Sequence, residues 1–118
     1  MTPVIEECHF WWVRELYNVL VSLADDPANT VARAGTGQIP VPEEQSGELA
    51  LYEELILDHY PDAADLAVMR AVSEVREILS RKSLGGEDFE EWFWSDEGFE
   101  THHEWSQIRE IARGFLFR

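Results

Sequence analysis

The chain has 118 residues, of which 24 are acidic and 9 basic, and its formal net charge is −15. Hydrophobic residues make up 45% and aromatic residues 12%, which is enough apolar surface to form a core and excludes a wholly disordered chain. No apolar run approaches the ~20 residues of a membrane-spanning helix, and the single cysteine, Cys8, excludes an intrachain disulfide and a multi-cysteine zinc site.

The first predicted element is a long helix over residues 3–24, with Pro3 at its first position. Its side chains are apolar over most of the circumference, which is typical of a central helix. Cys8, Leu16 and Leu20 fall on its buried stripe. The following stretch, 26–45, is rich in proline and glycine and is predicted to be a long loop.

A second helix is predicted over 46–60, with a start as early as 43, and Pro61 ends it. The clearest helix covers 62–83, with Val75 and Leu79 on its apolar stripe and Gly85 as its stop. A short helix over 87–95 and a last helix over 101–116, with Ile108 in its buried stripe, complete the chain. The sequence therefore predicts a single all-α domain over 1–118, a small bundle of about five helices.

In the short 87–95 helix, Phe89 and Phe93 are expected to face the core with Trp92 beside them, which leaves Trp94 near the surface. Trp11 falls within the polar arc of the first helix and is expected to be exposed. Exposed tryptophans among polar residues are typical of protein contact surfaces. The alternative is that these rings simply fill the core or are covered by the 26–45 loop.

No catalytic motif is present, so we predict that the protein is not an enzyme and uses no cofactor. Cys8 and His9 are adjacent on a helix and would point about 100° apart, which disfavours a nucleophilic pair. His102 and His103 lie beside Glu104, which together with Thr101 has the form of a capping box. Both histidines are expected to face solvent. We therefore predict no metal site, and a weak divalent-metal site is the alternative.

The acidic residues are concentrated in two segments. Residues 43–65 and 87–104 each contain eight acidic residues and no lysine or arginine. This distribution disfavours binding to nucleic acid and to anionic membranes, and it favours a basic protein partner. The alternative is that the charge serves only solubility. The candidate partner surface consists of Trp11, Glu53, Glu54, Asp58, Glu90, Glu91, Trp94, Asp96 and Glu97.

In its length, acidity and aromatic content the chain resembles bacterial immunity proteins, which neutralise toxic nucleases by placing acidic surfaces on their basic clefts. The resemblance is one of composition and transfers no individual residue. It implies a cytoplasmic inhibitor that binds a cognate basic toxin and protects its own cell. A helical structural or regulatory adaptor is the alternative function, and the oligomeric state stays open.

Overall fold

The computed structural model describes residues 5–34 and 38–118, and within these ranges the chain is helical and has no strand. Six α-helices are present: α1 (Phe10–Ala24), α2 (Pro27–Ala34), α3 (Val41–His59), α4 (Ala67–Lys82), α5 (Asp96–Thr101) and α6 (His103–Leu116). Short 3-10 turns cover Glu7–His9, Pro61–Asp65 and Trp92–Trp94. The all-α prediction is confirmed, with six helices rather than about five.

Four of the helices form a ring around the core. α1 packs on α3 and α6, and α4 completes the ring by packing on the same two helices. The predicted core positions Leu16, Leu20, Val75, Leu79 and Ile108 are all buried, because each lies on the apolar stripe that its helix turns inward. α1 is therefore one member of a ring rather than a single long central helix, and α3, with 19 residues, is longer.

The loop prediction for 26–45 is wrong over most of its length, and residues 35–37 lie outside the described residues. Pro27 is the first residue of α2, and Pro42 lies in the first turn of α3. Proline is well tolerated at these positions, since the first helical N–H groups have no partner within the helix. The Asp26 carboxylate accepts a hydrogen bond from the Ala28 N–H at 3.0 Å, which favours the start of α2.

The predicted 3–24 helix begins later than expected: residues 3 and 4 lie outside the described residues, residues 5 and 6 are not helical, and α1 begins at Phe10. Its first turn is a 3-10 turn, and the backbone N–H of Glu6 donates to the Tyr60 hydroxyl at 3.2 Å. The same hydroxyl forms a hydrogen bond with His9 Nδ1, so the N-terminal segment is held against the end of α3. Cys8 is exposed, which contradicts its expected place in the core stripe.

The segment before α6 is not the single short helix that periodicity predicted. After α4 the chain turns at Gly85, whose φ of 88° requires glycine, and it becomes helical again only in the Trp92–Trp94 turn. α5 begins directly after Ser95, its N-cap, whose hydroxyl accepts a hydrogen bond from the Gly98 N–H at 3.0 Å. A Cβ on Gly98 would lie 2.0 Å from the Trp92 carbonyl oxygen, so glycine allows α5 to contact this turn closely.

None of the helices in the described ranges combines the length and apolar character needed to cross a membrane.

Candidate functional site

The N-terminus of α3 and the segment between α4 and α5 enclose an acidic groove. We use this name for the cavity of about 430 Å³ that is lined by Pro40, Glu43, Leu84, Phe89, Glu91, Trp94 and Ser95. Its apolar lining is unusually accessible, since Leu84 is 85% and Phe89 44% exposed. The groove therefore combines exposed apolar surface with carboxylates, a composition typical of protein contact sites.

Two hydrogen bonds fix the walls of this groove. The Asp96 carboxylate accepts from the Val41 N–H at 2.8 Å, which joins the start of α5 to the start of α3. The Trp94 indole N–H donates to the Lys82 carbonyl at 2.7 Å, which holds the tryptophan against the end of α4. The first contact joins residues 55 positions apart and the second joins residues 12 positions apart, so hydrogen bonds within the chain hold both walls of the groove.

The two carboxylates of the groove come from the two acidic segments. Glu43 belongs to the first segment and Glu91 to the second, and both are exposed. Within the described residues neither forms an ion pair, and no lysine or arginine lines the groove. In the groove, each of the two acidic segments, 43–65 and 87–104, therefore contributes one exposed carboxylate whose negative charge a partner could neutralise.

Beside the groove lies an ion-pair cluster centred on the buried Lys82, in which Glu104 is buried and Glu90 is exposed. Its ammonium group is 2.6 Å from a carboxylate oxygen of Glu90 and 2.6 Å from one of Glu104, and the lysine is only 3% exposed. His102 Nε2 lies 3.4 Å from both Glu90 oxygens. Burial of an ammonium group is tolerated only when carboxylates compensate it at this distance.

Ionisation within the cluster follows from these contacts. The hydrogen bond from Lys82, and after it that from His102, holds the pKa of Glu90 below its ordinary value. Burial lowers the pKa of Lys82, but the hydrogen bonds to Glu104 and Glu90 outweigh it and raise the pKa above the ordinary value. Both groups are thus stabilised in their charged forms.

Three residues of the cluster are also candidate ligands for the divalent metal ion that was the alternative prediction. Glu90, His102 and Glu104 each place one potential ligand atom within 4.8 Å of the others. The Lys82 ammonium, however, already occupies the position between the two carboxylates. A cation would have to displace a buried lysine that the same carboxylates neutralise, so this arrangement favours a structural ion pair over metal binding.

The solvent-facing prediction for the two histidines is wrong for His102. Its side chain is 4% exposed and its ring packs edge-on against Phe93, with the centroids 5.2 Å apart. It is also the cap of α6, because Nδ1 accepts a hydrogen bond from the Glu104 N–H at 3.0 Å. The expected Thr101–Glu104 capping box is therefore replaced by His102, and the Glu104 carboxylate pairs with Lys82 instead. His103 is exposed as expected.

We predict that His102→Ala lowers the free energy of unfolding by ~1–2 kcal/mol, the usual cost of removing a helix cap. His103→Ala is the matched control and should change it by less than ~0.5 kcal/mol, as exposed positions do. Urea denaturation of both variants measures the difference. Equal values for the two would contradict the capping role of His102.

The nine predicted surface residues divide between two places on the molecule. Glu90, Glu91, Trp94, Asp96 and Glu97 belong to the segment beside the start of α3. The side chain of Trp11, 45% exposed, instead meets Tyr52 of α3 edge-on, with the ring centroids 5.8 Å apart. Because a helix rises 1.5 Å per residue, Glu54 and Asp58 lie roughly 20–25 Å along α3 from Val41. The prediction therefore describes two separate surfaces.

Several of these residues already have partners within the fold. Glu90 pairs with Lys82, Asp96 accepts from Val41, and Glu53 lies 3.7 Å from Arg76. Burial raises the pKa of Glu53, Arg76 lowers it and Glu54 raises it, with burial prevailing. Trp94, which was expected near the surface, is half-buried and lines the acidic groove. Glu91 and Glu97 are exposed and have no ion pair within the described residues, so they are the charges free to meet a partner there.

Sequence reasoning missed part of the acidic groove. Phe89 was expected in the core, yet Phe89 and Trp92 are the exposed rings of their segment, because residues 87–91 do not form the helix on which that expectation rested. Leu84 was not singled out, although a bulky apolar residue just before the Gly85 turn is a signal for exposed apolar surface. Glu43 was counted only as one acidic residue of its segment.

A larger cleft, about 580 Å³, lies between the end of α1 and the end of α6. Its lining includes Arg113, whose Nε donates to the Ala24 carbonyl at 2.7 Å. The lining also includes Asp25 and Asp26, but Asp25 pairs with Arg33 at 3.2 Å and Asp26 accepts from the Ala28 N–H. With Arg113 beside them, this cleft offers a basic partner less uncompensated negative charge than the acidic groove does.

Comparison of the chain with family models, with curated proteins and with solved structures finds no match in any of the three.

Proposed function

We propose that the protein is an acidic protein-binding inhibitor, of the kind represented by bacterial immunity proteins, and that it acts in the cytoplasm by binding a basic toxin directly. The acidic groove is the observation that supports this proposal best. It joins exposed apolar side chains to two unpaired carboxylates, and the whole chain has a net charge of −15.

The charge distribution also indicates how such a complex would form. Opposite charge accelerates the encounter of two proteins, and the apolar centre of the contact then determines how long the complex lasts. Leu84 and Phe89 are the exposed apolar anchors, and Glu43 and Glu91 lie beside them. A catalytic function has no comparable support among the described residues, since the carboxylates of Glu90 and Glu104 are both already paired with Lys82.

The charge-reversal variant Glu43→Lys/Glu91→Lys should slow association with the toxin roughly tenfold at low salt and change dissociation little. Both residues are exposed, so the fold should be retained. Glu90 is unsuitable for reversal because a lysine there would face Lys82. An immunity gene is expected to lie directly downstream of the gene for its toxin. Surface plasmon resonance against the product of the gene directly upstream, at about 0.05 and 0.5 M salt, therefore measures both rates.

The variant Glu54→Lys/Asp58→Lys is the matched control, because it makes the same charge change far along α3. It should slow association less than the groove variant does. A binding rate indifferent to salt and to both variants would contradict the proposal and would favour a helical adaptor whose acidity only maintains solubility.

A further inference from the structure

We propose that the acidic groove is a binding site for an arginine side chain of the basic partner. This inference rests on the proposed function for its biological setting, and its chemistry can be tested without the partner. Three features of the groove carry it: two carboxylates without an ion pair to any described residue, two aromatic rings, and an aliphatic wall.

The first feature is the pair of carboxylates, Glu43 and Glu91. An apolar side chain in the groove would remove water from both carboxylates without replacing its hydrogen bonds, which is costly. An anionic side chain would be repelled. A cationic group is therefore the occupant that the charges favour, and a guanidinium has five N–H donors, enough to reach two carboxylates at once.

The second feature is the pair of rings, Phe89 and Trp94. A planar guanidinium stacks on an aromatic face, and arginine is used in this way more often than lysine. The compact, strongly hydrated ammonium of lysine matches a flat aromatic surface less well. The long aliphatic stem of arginine would cover Leu84 and Pro40, as such stems do on apolar surfaces.

The ring that would receive the guanidinium also has a fixed position. The Trp94 indole N–H is held by the Lys82 carbonyl, so the ring cannot turn away. Ser95 Oγ donates to the Trp92 carbonyl at 2.6 Å and accepts from the Gly98 N–H. Its hydrogen bonds are therefore made within the chain, and the two carboxylates are the acceptors left for the guanidinium. A site with its contacts already in place loses little conformational entropy on binding.

The test uses blocked tripeptides, acetyl-Gly-Arg-Gly-amide and its lysine and citrulline counterparts, titrated into ¹⁵N-labelled full-length protein. Citrulline keeps the shape of arginine and removes its charge. The arginine peptide should give saturable NMR shifts of the Trp94 indole N–H and of the Leu84 and Glu91 amides. The lysine peptide should bind more weakly, and the citrulline peptide should give no saturable shift.

Glu43→Gln/Glu91→Gln should weaken binding of the arginine peptide about fivefold or more, and the matched Glu54→Gln/Asp58→Gln variant should leave it unchanged. Leu84→Ser, at a position exposed enough to keep the fold, should also weaken it. Equal binding of the arginine and lysine peptides, or shifts that both glutamine variants reduce equally, would overturn the inference.

The outcomes of this test are separate from those for the proposed function. If the upstream gene product binds with strong salt dependence while the arginine peptide causes no shift in the groove, the arginine site is wrong and the inhibitor proposal stands. If the peptide binds in the groove and the toxin does not bind, the inhibitor proposal fails and the arginine site stands.

Discussion

Replacing Lys82 by methionine should lower the free energy of unfolding by about 3 kcal/mol at neutral pH, because it removes the buried ammonium group that lies 2.6 Å from the buried Glu104 carboxylate. Methionine retains most of the volume of the lysine stem, so the loss reports charge rather than packing. Chemical denaturation of the full chain measures it.

Arg70→Met is the matched control, since Arg70 is an exposed cation on the same helix. It should change the free energy of unfolding by less than ~0.5 kcal/mol. Adding Glu104→Gln to Lys82→Met should recover part of the loss, because the stranded carboxylate is then neutral. A loss below ~1 kcal/mol for Lys82→Met would show that the ion pair contributes little.

The same ion pair gives a pH dependence with a definite sign. Because the folded pKa of Glu90 is depressed below 4.5, its contribution is present above that pH and is lost as the pH falls through the folded value. Because the pKa of Lys82 is raised above 10.5, its contribution is present below pH 10.5 and is lost as the pH rises through the folded value. The stability difference between the natural protein and Lys82→Met should therefore persist from about pH 5 to 10 and shrink at both extremes.

The second large effect is expected at Trp105, where truncation to alanine should cost ~3–5 kcal/mol. Its ring is almost fully buried and stacks on Phe93 with the centroids 4.6 Å apart. Its indole N–H donates to the Phe93 carbonyl at 2.7 Å. Alanine would leave both a cavity and an unpaired buried carbonyl oxygen, and thermal and urea unfolding measure the sum.

Two further tryptophan variants separate these contributions. Trp105→Phe retains most of the packing and should cost ~1–3 kcal/mol through the carbonyl left without a donor. Trp11→Ala removes an exposed tryptophan, whose edge contact with Tyr52 is worth ~1 kcal/mol. If Trp11→Ala cost as much as Trp105→Ala, the assignment of Trp105 to the core would be wrong.

Features that depend on local sequence were predicted correctly more often than features that depend on contacts between distant residues. α6 starts two residues after its predicted start, and the predicted end of α4 is correct within one residue, because an amphipathic period is a local property. α4 starts five residues later than predicted, because Pro61–Asp65 form a 3-10 turn. The burial of His102 was not predictable, because it arises from Phe93 and Glu90, which reach it through the tertiary fold. The proline content of 26–45 predicts a loop at Pro27 and Pro42, although proline fits a first helical turn equally well.

In the candidate site, too, the residues in a local sequence pattern were found, and the residue that depends on a long-range contact was not. Trp94 and Glu91 were identified from the dense aromatic-acidic run, and both line the acidic groove. The contribution of Glu43 depends on α3 reaching α5 across 55 positions of the sequence, which no local pattern reveals. The sequence-based prediction also treated two distant surfaces as one. It grouped the acidic residues by charge, and charge does not indicate that Glu54 and Asp58 lie far along α3 from the segment 90–97.

The contact between Asp96 and Val41 also has a consequence for the order of folding. Pro40 gives α3 no side-chain cap, and the buried Val41 N–H is satisfied by a carboxylate from another helix. That acceptor is present only after the chain has closed a long loop, which is a slow and entropically costly event. The first turn of α3, and with it the groove, should therefore form late, so that Asp96→Ala mainly accelerates unfolding and leaves the refolding rate almost unchanged.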